Sequence, residues 1–345
     1  MTAPYTVKSG DTLSGIAKKH NIKTWQEIYK HPDNAAFRHK RPNPNLIYPG
    51  DIIMIPSAGP PKPPPLPPAG PPKFEAIEKD DGFDAKATPV PWLMVPLTGS
   101  KKVRLMNAQD LTVVSVNPGI ATVEDVPKCF VHGGRELIVK GRTRGTTFIE
   151  VRQPGKPAVR MEVAVKNKKT VKLTFNFVED NSGHKTKRTA STVDGWVKDM
   201  NSILLPQANV EIKKHNVKNV KIDKNLGPVV RFSKHLTGVP ASEHEWDLVT
   251  SKRDSTADLN IFFVWEYEQD INPDHDDTDA GTLDGNCIFE DEAGSEIGET
   301  LAHETGHFLG VGDFKTAGEL DFLMYGTTDR RGRNIPKAHA NIMNP

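Results

Sequence analysis

Two histidines, a glutamate and an aspartate lie close together near the end of the chain, in the stretch HETGHFLGVGD over residues 303–313. In an α-helix, about 100° per residue places His303 and His307 on one face, so both imidazoles can reach one ion. Zn²⁺ binds neutral imidazole nitrogens, and a catalytic zinc has three protein ligands and one open position. Gly310 can take a positive φ and end the helix, which would turn Asp313 back towards the ion as a third ligand. Glu304 stands where the HExxH pattern places its general base.

This stretch resembles the long motif of the metzincin metalloproteases, HExxHxxGxxH, in which some members carry Asp instead of the last His. The resemblance implies that His303, His307 and Asp313 bind zinc and that Glu304 is the general base. Metzincins also carry a methionine in a tight turn beneath the metal. The residues DFLMYG at 321–326 assign that position to Met324. The implied activity is hydrolysis of peptide bonds.

The identity of the third ligand stays open between three acidic residues. Aspzincins pair HExxH with a downstream GTxDxxYG, and residues 326–329 match its first half, ending at Asp329. The next glycine, Gly332, is preceded by Arg331, whereas the last glycine of that pattern is preceded by Tyr. Gluzincins use a downstream Glu, for which Glu319 is the candidate. Asp313 is favoured because the turn at Gly310 gives it a route back to the ion.

Length and composition narrow the function classes. The 345 residues allow two or three domains, and 28 prolines with 27 glycines indicate linkers and many turns. The net charge of +1 gives no overall field that favours nucleic acid as a partner. The sequence contains no run of about 20 apolar residues, so no membrane span is expected. The first residues lack the basic and apolar segments of a secretory signal.

Two further chemical features leave alternatives open. Cys129 and Cys287 are the only cysteines, which is too few for a disulfide framework. Acidic residues dominate from residue 270 to 321, and they are densest at 274–279, followed by Asp284. This density suits a hard cation such as Ca²⁺. A solvated acidic loop near the active-site cleft is the alternative.

The first segment, residues 1–57, has the order strand, helix, helix, strand, with Thr12 placed to cap the first helix. Its opening YTVKSGDTLSGIA and its ending NPNLIYPGDIIMIP resemble a LysM domain, a βααβ fold. LysM domains bind N-acetylglucosamine polymers such as peptidoglycan and chitin. The family's binding groove, carried over to this chain, consists of Gly10, Asp11, Thr12 and Leu13 facing Asn45, Leu46 and Ile47. A basic insertion at residues 31–41 departs from the family pattern.

The middle of the chain contains a spacer and a β-rich region. Residues 58–73 are Pro-rich, which predicts a stiff polyproline II linker. Six short runs between residues 86 and 167 predict a β-sandwich. These runs span residues 102–105, 111–115, 121–123, 137–140, 146–152 and 159–165. Residues 115–123 and 140–151 resemble bacterial Ig-like domains of group 2, which are usually spacers or adhesive modules.

The last segment, residues 170–345, carries the histidine motif. Strands are expected at 171–178, 210–213, 259–265 and 286–289, the last as the edge against which a substrate would lie. Helices are expected at 192–205, at 242–251 and from an N-cap at Ser295 onwards. This order resembles the upper subdomain of metzincins. The chain is thus predicted to be multidomain: a βααβ LysM domain, an all-β Ig-like sandwich and an α+β metzincin-like zincin domain.

These resemblances together predict a zinc-dependent endopeptidase that acts on a peptide or protein and that its LysM domain targets to peptidoglycan or another N-acetylglucosamine polymer. A wall-targeting module without a secretory signal suggests an antibacterial toxin delivered by a contractile, type VI-like secretion system. A component of that machine or an immunity protein is then an expected partner. We expect secretion without a cleaved signal and action in the envelope or periplasm, with a cytoplasmic location as the alternative. The alternative function is a non-catalytic peptidoglycan-binding or assembly protein with a degenerate zincin fold.

Overall fold

The computed structural model describes residues 2–56, 70–108, 111–131, 134–232, 240, 244–269, 279–293, 296–315, 320–326 and 332–345, without the side chains of 127–131. The chain divides into two compact units, Met1–Ala69 and Gly70–Pro345. Every helix in the described ranges is too short or too polar to cross a bilayer.

The first unit contains two strands and three short α-helices. They are β1 (Thr2–Thr6), α1 (Leu13–Lys19), α2 (Trp25–Tyr29), a 3-10 turn (Pro32–Asn34), α3 (Ala35–Lys40) and β2 (Ile52–Pro56). β1 pairs antiparallel with β2. The hydroxyl of Thr12 accepts a hydrogen bond from the amide of Gly15 at 3.1 Å, so Thr12 caps α1 as expected. The basic insertion forms the 3-10 turn and α3, which buried Asn34 ties to the carbonyl of Met54 at 2.6 Å.

The second unit begins with two β-sheets that share one apolar core. Their strands are β3 (Lys73–Ala76), β4 (Phe83–Asp84), β5 (Trp92–Pro96), β6 (Ser100–Met106), β7 (Thr112–Ser115), β8 (Ala121–Val131), β9 (Gly134–Gly141), β10 (Gly145–Arg152) and β11 (Val159–Lys166). The sheet orders are β3-β6-β9-β8 and β4-β5-β11-β10-β7. The six predicted runs correspond to β6–β11, whereas β3, β4 and β5 were not predicted. β3 begins at Lys73, the last residue of the predicted linker.

A mixed sheet with helices on both faces completes the second unit. The elements of this region are β12 (Lys169–Glu179), a 3-10 turn (Ala190–Thr192), α4 (Val193–Ala208), β13 (Val210–Lys221), β14 (Val230–Arg231), α5 (Glu245–Thr250), β15 (Leu259–Phe263), β16 (Tyr267–Glu268), β17 (Ala280–Leu283), β18 (Asn286–Phe289), α6 (Ile297–Phe308) and α7 (Lys337–Met343). β14 and β16 pair with each other in a separate two-stranded sheet. The sheet order is β13-β12-β15-β18-β17, in which only β17 runs antiparallel to its neighbour. The prediction that residues 286–289 form the sheet edge is wrong, because β18 lies between β15 and β17.

The pleat of this sheet separates two cores. α4 and α6 pack with Phe175, Ile261, Cys287 and other residues on one face, and α5 packs with Phe262 and Ile288 on the other. β5 joins the first of these cores to the core of the preceding sheets: Trp92 and Met94 face α4 and α6, whereas Leu93 and Val95 face the other way. Both faces of β5 are therefore buried, and the two β-rich regions form one compact unit.

Candidate metal centre

Helix α6 places the two predicted histidine ligands together at its C-terminal end. Nε2 of His303 and Nε2 of His307 are 3.0 Å apart, as expected for residues one turn apart on a helix. The helix ends at Phe308, and Gly310 follows with φ of 96°. The predicted left-handed turn at Gly310 is therefore present, and it sends the chain away from the helix axis.

The turn brings Asp313 back to the two imidazoles. Oδ1 of Asp313 is 3.3 Å from Nε2 of both His303 and His307. Phe314 fixes the aspartate in place, because its amide donates to the carbonyl of Met324 at 2.8 Å and its carbonyl accepts from the amide of Gly326 at 2.9 Å. The two other predicted candidates, Glu319 and Asp329, lie outside the described residues.

Backbone carbonyls determine which imidazole nitrogens face the site. Nδ1 of His303 is 2.8 Å from the carbonyl oxygen of Leu323, and Nδ1 of His307 is 2.9 Å from that of Val311. A carbonyl oxygen can only accept, so each Nδ1 carries a hydrogen, and in the neutral imidazole each Nε2 presents a lone pair. Metal-binding histidines in proteins are commonly oriented by such a hydrogen bond.

The three converging atoms fit a zinc ion. With metal–ligand distances of about 2.0–2.1 Å, the ligand atoms of a tetrahedral site lie about 3.3–3.4 Å apart. The three distances found here are 3.0, 3.3 and 3.3 Å. Two imidazole lone pairs and a carboxylate oxygen repel one another unless a cation lies between them, and N and O donors of these types suit Zn²⁺. His303, His307 and Asp313 thus have the chemistry and spacing of a three-ligand zinc site.

The electrostatics also favour positive charge at this position. Burial by itself would lower the pKa of His307, but the hydrogen bond with Asp313 and the charge of Glu304 outweigh it, so the pKa is raised. Hydrogen bonds from His303 and His307 hold the pKa of Asp313 well below its usual range. Both directions have one cause: the carboxylates of Asp313 and Glu304 favour positive charge on the neighbouring imidazoles.

Glu304 lies beside the convergence point. It forms a group with His303 and His307 whose candidate ligand atoms are all within 4.8 Å of one another. Its side chain is buried, and Oε2 accepts a hydrogen bond from the hydroxyl of Thr282 at 2.7 Å. By proximity alone Glu304 could be a ligand. The two 3.3 Å distances of Asp313 and the engagement of Oε2 by Thr282 favour Asp313 for that role.

Met324, the residue assigned to the methionine turn, lies directly beneath the histidine-bearing turn of α6. It is fully buried, and a Cβ at Gly306 would overlap its Sδ and lie 3.0 Å from its Cε. Gly306 therefore allows the 321–326 turn to approach the helix closely. Similarly, a Cβ at Gly326 would lie 3.0 Å from Cγ of Asp313. Both glycines make room for groups of the site.

The two other sequence features do not join this centre in the described residues. Most of the acidic run at 274–279 lies outside the description; Asp279 and Asp284 stand at opposite ends of β17. Cys287 is a buried free thiol on β18, and burial raises its pKa well above the usual value. The side chain of Cys129 lies outside the described residues.

The predicted glycan-binding segments emerge from the same end of the β1–β2 pair, where the amide of Val7 donates a hydrogen bond to the carbonyl of Asp51 at 2.8 Å. Gly10 has a φ of 87°, and Asp11 holds the turn, since the Lys8 amide and the Tyr5 hydroxyl donate to it and lower its pKa. Leu13 is buried.

Across the turn, Asn45 is exposed, Ile47 is half-buried, and Leu46 and Tyr48 are 51% and 49% exposed. The segment around Leu46 therefore exposes larger apolar side chains than the segment around Gly10, where Leu13 is buried.

Comparisons with known proteins support the N-terminal assignment. A LysM domain family model matches residues 5–29. The secreted LysM effector Mgx1LysM of Zymoseptoria tritici (strain ST99CH_3D7) is 43% identical over 60 residues, which are 16% of this chain and 53% of that protein. The chain thus spans about half the length of this relative. The N-terminal unit carries a LysM domain.

Solved structures resemble the chain only distantly. Archaemetzincin from Methanopyrus kandleri aligns with 50% of this chain and 93% of its own, at 14% identity and a TM-score of 0.34. Domains 4 and 5 of the S-layer protein SbsC align with 28% of this chain and 53% of their own, at 18% identity and a TM-score of 0.20. At these TM-scores neither likeness establishes a shared fold.

Proposed function

We propose that this protein is a zinc-dependent endopeptidase that its LysM domain targets to an N-acetylglucosamine polymer of the cell envelope. The observation that carries the proposal is the convergence of His303, His307 and Asp313 within 3.0–3.3 Å, with the Glu304 carboxylate beside them. A stability role would not need two imidazole lone pairs and a carboxylate aimed at one point.

In this proposal His303, His307 and Asp313 hold Zn²⁺, and Met324 supports the site from below. Zinc, when bound, lowers the pKa of a water ligand towards ~7 and polarises a carbonyl. Glu304 takes a proton from the water molecule whose oxygen bonds to the scissile carbonyl carbon, and it returns that proton to the amine that leaves as the C–N bond breaks. General base catalysis of this kind contributes about 10²- to 10⁴-fold in rate.

β17 is the strand along which a peptide substrate would lie. Only β18 pairs with it in the described part of the sheet, so its outer edge offers backbone groups to an extended peptide. Thr282 of β17 contacts Glu304, so this edge lies next to the residue proposed as the general base. The β-sandwich of β3–β11, which resembles bacterial Ig-like domains, would hold the catalytic region as a rigid support.

Metal content and proteolysis of the full chain test the catalytic part of the proposal. Wild type and Glu304→Gln are each assayed for bound zinc and for cleavage of casein and of purified peptidoglycan. Both are expected to bind one zinc per chain, and only wild type should cleave. Glu296→Gln is the matched control, because Glu296 is an exposed residue at the start of α6 whose side chain caps nothing. Wild type that neither binds zinc nor cleaves would support the non-catalytic, wall-binding alternative instead.

A separate experiment tests the glycan-binding part. Full-length protein is incubated with insoluble peptidoglycan and with chitin, and the bound fraction is measured after sedimentation. Leu46→Ala should reduce binding, since Leu46 is 51% exposed on the predicted groove. Val116→Ala, at a residue 52% exposed in the second unit, should leave binding unchanged. Equal losses in both variants would exclude the predicted groove.

Delivery by a contractile secretion machine is the part of the proposal that rests on the domain combination alone. The relative from Zymoseptoria tritici is named as a secreted effector. We expect expression directed to the bacterial periplasm to be toxic, and cytoplasmic expression to be tolerated. Toxicity in the cytoplasm, or toxicity that Glu304→Gln retains, would contradict this role.

A further inference from the structure

We propose that Thr282 is a positioning residue that holds the Glu304 carboxylate in the orientation needed for catalysis; this inference rests on the proposed function. The hydroxyl of Thr282 donates to Oε2 of Glu304 at 2.7 Å. The two residues belong to different elements, the outer strand β17 and the helix α6. The hydrogen bond therefore links the proposed substrate-binding edge to the proposed general base.

The pleat of β17 determines that Thr282 points at the helix. Thr282 is directly opposite Cys287 in the β17–β18 register. Cys287 lies in the core that includes α6, whereas Leu283 and Ile288 belong to the core on the other face. Cross-strand partners share a face, so Thr282 must face α6 together with Cys287.

Of the groups around the Thr282 hydroxyl, only the Glu304 carboxylate is a strong hydrogen-bond acceptor. Burial and the charge of Glu304 raise the pKa of Cys287, and the nearby Thr282 hydroxyl opposes them only in part, so the thiol stays neutral. A neutral thiol accepts hydrogen bonds weakly, and the carboxylate accepts them strongly. With Thr282 on Oε2, Oε1 of Glu304 has no hydrogen bond from any described residue, so it is the oxygen available for proton transfer.

The strand itself is held from its opposite face. A Cβ on Gly281 would lie 2.6 Å from the hydroxyl oxygen of Tyr267, a buried residue of β16, and 3.3 Å from its ring carbons. The backbone of β17 thus lies directly against the Tyr267 ring. The contact with Tyr267 fixes the distance between β17 and α6, and it thereby fixes the position of Thr282. A peptide that pairs with the outer edge of β17 would bind a strand that is already in place.

The expected effect falls on the rate of the chemical step. Without the hydroxyl, the glutamate side chain samples more rotamers, and fewer of them place Oε1 for proton transfer. Hydrogen bonds to charged groups have a strength that corresponds to about 10- to 100-fold in rate. We expect kcat to fall within that range while KM changes by less than about threefold.

Thr282→Val and Thr282→Ser separate this role from a structural one. Valine keeps the β-branched shape that suits a strand, and serine keeps the hydroxyl. Thr282→Val should bind one zinc per chain and lose about 10- to 100-fold in kcat, and Thr282→Ser should recover most of that loss. A kcat of Thr282→Val within threefold of wild type, or an equal loss in both variants, would overturn the proposal.

A second measurement does not depend on activity. Crystal structures of the zinc-loaded wild type and Thr282→Val proteins, at a resolution that separates rotamers, should show one Glu304 conformer in the wild type and several in the variant. One unchanged conformer in both would refute the positioning role. Wild type that shows a single conformer and binds zinc but cleaves nothing would count against the proposed function and leave the Thr282 hydrogen bond supported.

Discussion

Replacing Gly306 by alanine tests how the metal centre is packed. Gly306 lies in α6 between the two histidines, and a Cβ there would overlap Sδ of Met324 and lie 3.2 Å from Cε of Met343. Both methionines are fully buried, so neither can move into solvent. Gly195, in the first turn of α4, provides the matched control, because a Cβ there meets nothing within 4 Å.

The difference between the two variants isolates the packing cost. Alanine improves helix propensity by up to about 1 kcal/mol at either site. Overpacking costs about 1–3 kcal/mol, and only Gly306→Ala incurs it. We therefore expect Gly195→Ala to melt at or above the wild-type temperature. The free energy of unfolding of Gly306→Ala should be about 1–3 kcal/mol lower than that of Gly195→Ala. At about 2–4 °C per kcal/mol, the two melting temperatures should differ by roughly 2–12 °C.

Calorimetry of the full chain, with EDTA and with excess zinc, measures this difference. It should be present in EDTA, because the overlap does not depend on the metal. Zinc should widen it, because displacing Met324 also displaces the Leu323 carbonyl that orients His303, and loss of such support costs about 10- to 100-fold in metal affinity. Equal melting temperatures for the two alanine variants would refute the close approach of Met324 to the helix.

Substitutions at three further positions test other parts of the structure. Gly326→Ala should weaken zinc binding by about tenfold or more, since the new Cβ would push Asp313 away, and a competition titration that shows wild-type affinity would contradict the role of Asp313. Thr12→Ala should cost the LysM domain about 1 kcal/mol by removing the cap of α1, and Thr12→Ser should cost much less in the same urea titration. Burial, with a smaller effect of Arg144, lowers the pKa of Lys166 from about 10.5 to about 8. The unfolded chain therefore binds more protons than the folded chain between pH 8 and 10.5, so the wild type should gain stability relative to Lys166→Met as pH rises through that range; a difference independent of pH would contradict this.

Local signals in the sequence were sufficient for several features. Thr12 was expected to cap α1, and Gly310 was expected to end α6 with a positive φ; both are confirmed. β18 was predicted with its observed limits, 286–289. These features depend on residues within a few positions of one another, so the sequence contains the information directly.

Other features could not be predicted, because distant parts of the chain create them. β17 contains only four residues, one of them a glycine, and it is a strand because β18 pairs with it. β13 was expected to end at residue 213 but continues to Lys221, since pairing with β12 holds its polar second half. Trp92 and Met94 face a different core from Leu93 and Val95, so no alternation of polar and apolar residues marked β5 as a strand.

The candidate site also has features that the sequence predicts and features that only the tertiary structure shows. Sequence by itself determined the types and the helical spacing of His303, Glu304 and His307, because one turn of α-helix fixes their relative positions. Only the tertiary structure decided that Asp313 approaches both imidazoles, that Leu323 and Val311 set their tautomers, and that Thr282 engages Glu304. The physical reason is that these contacts join a helix to a turn and to a strand, and the packing of those elements leaves no periodic trace in the sequence.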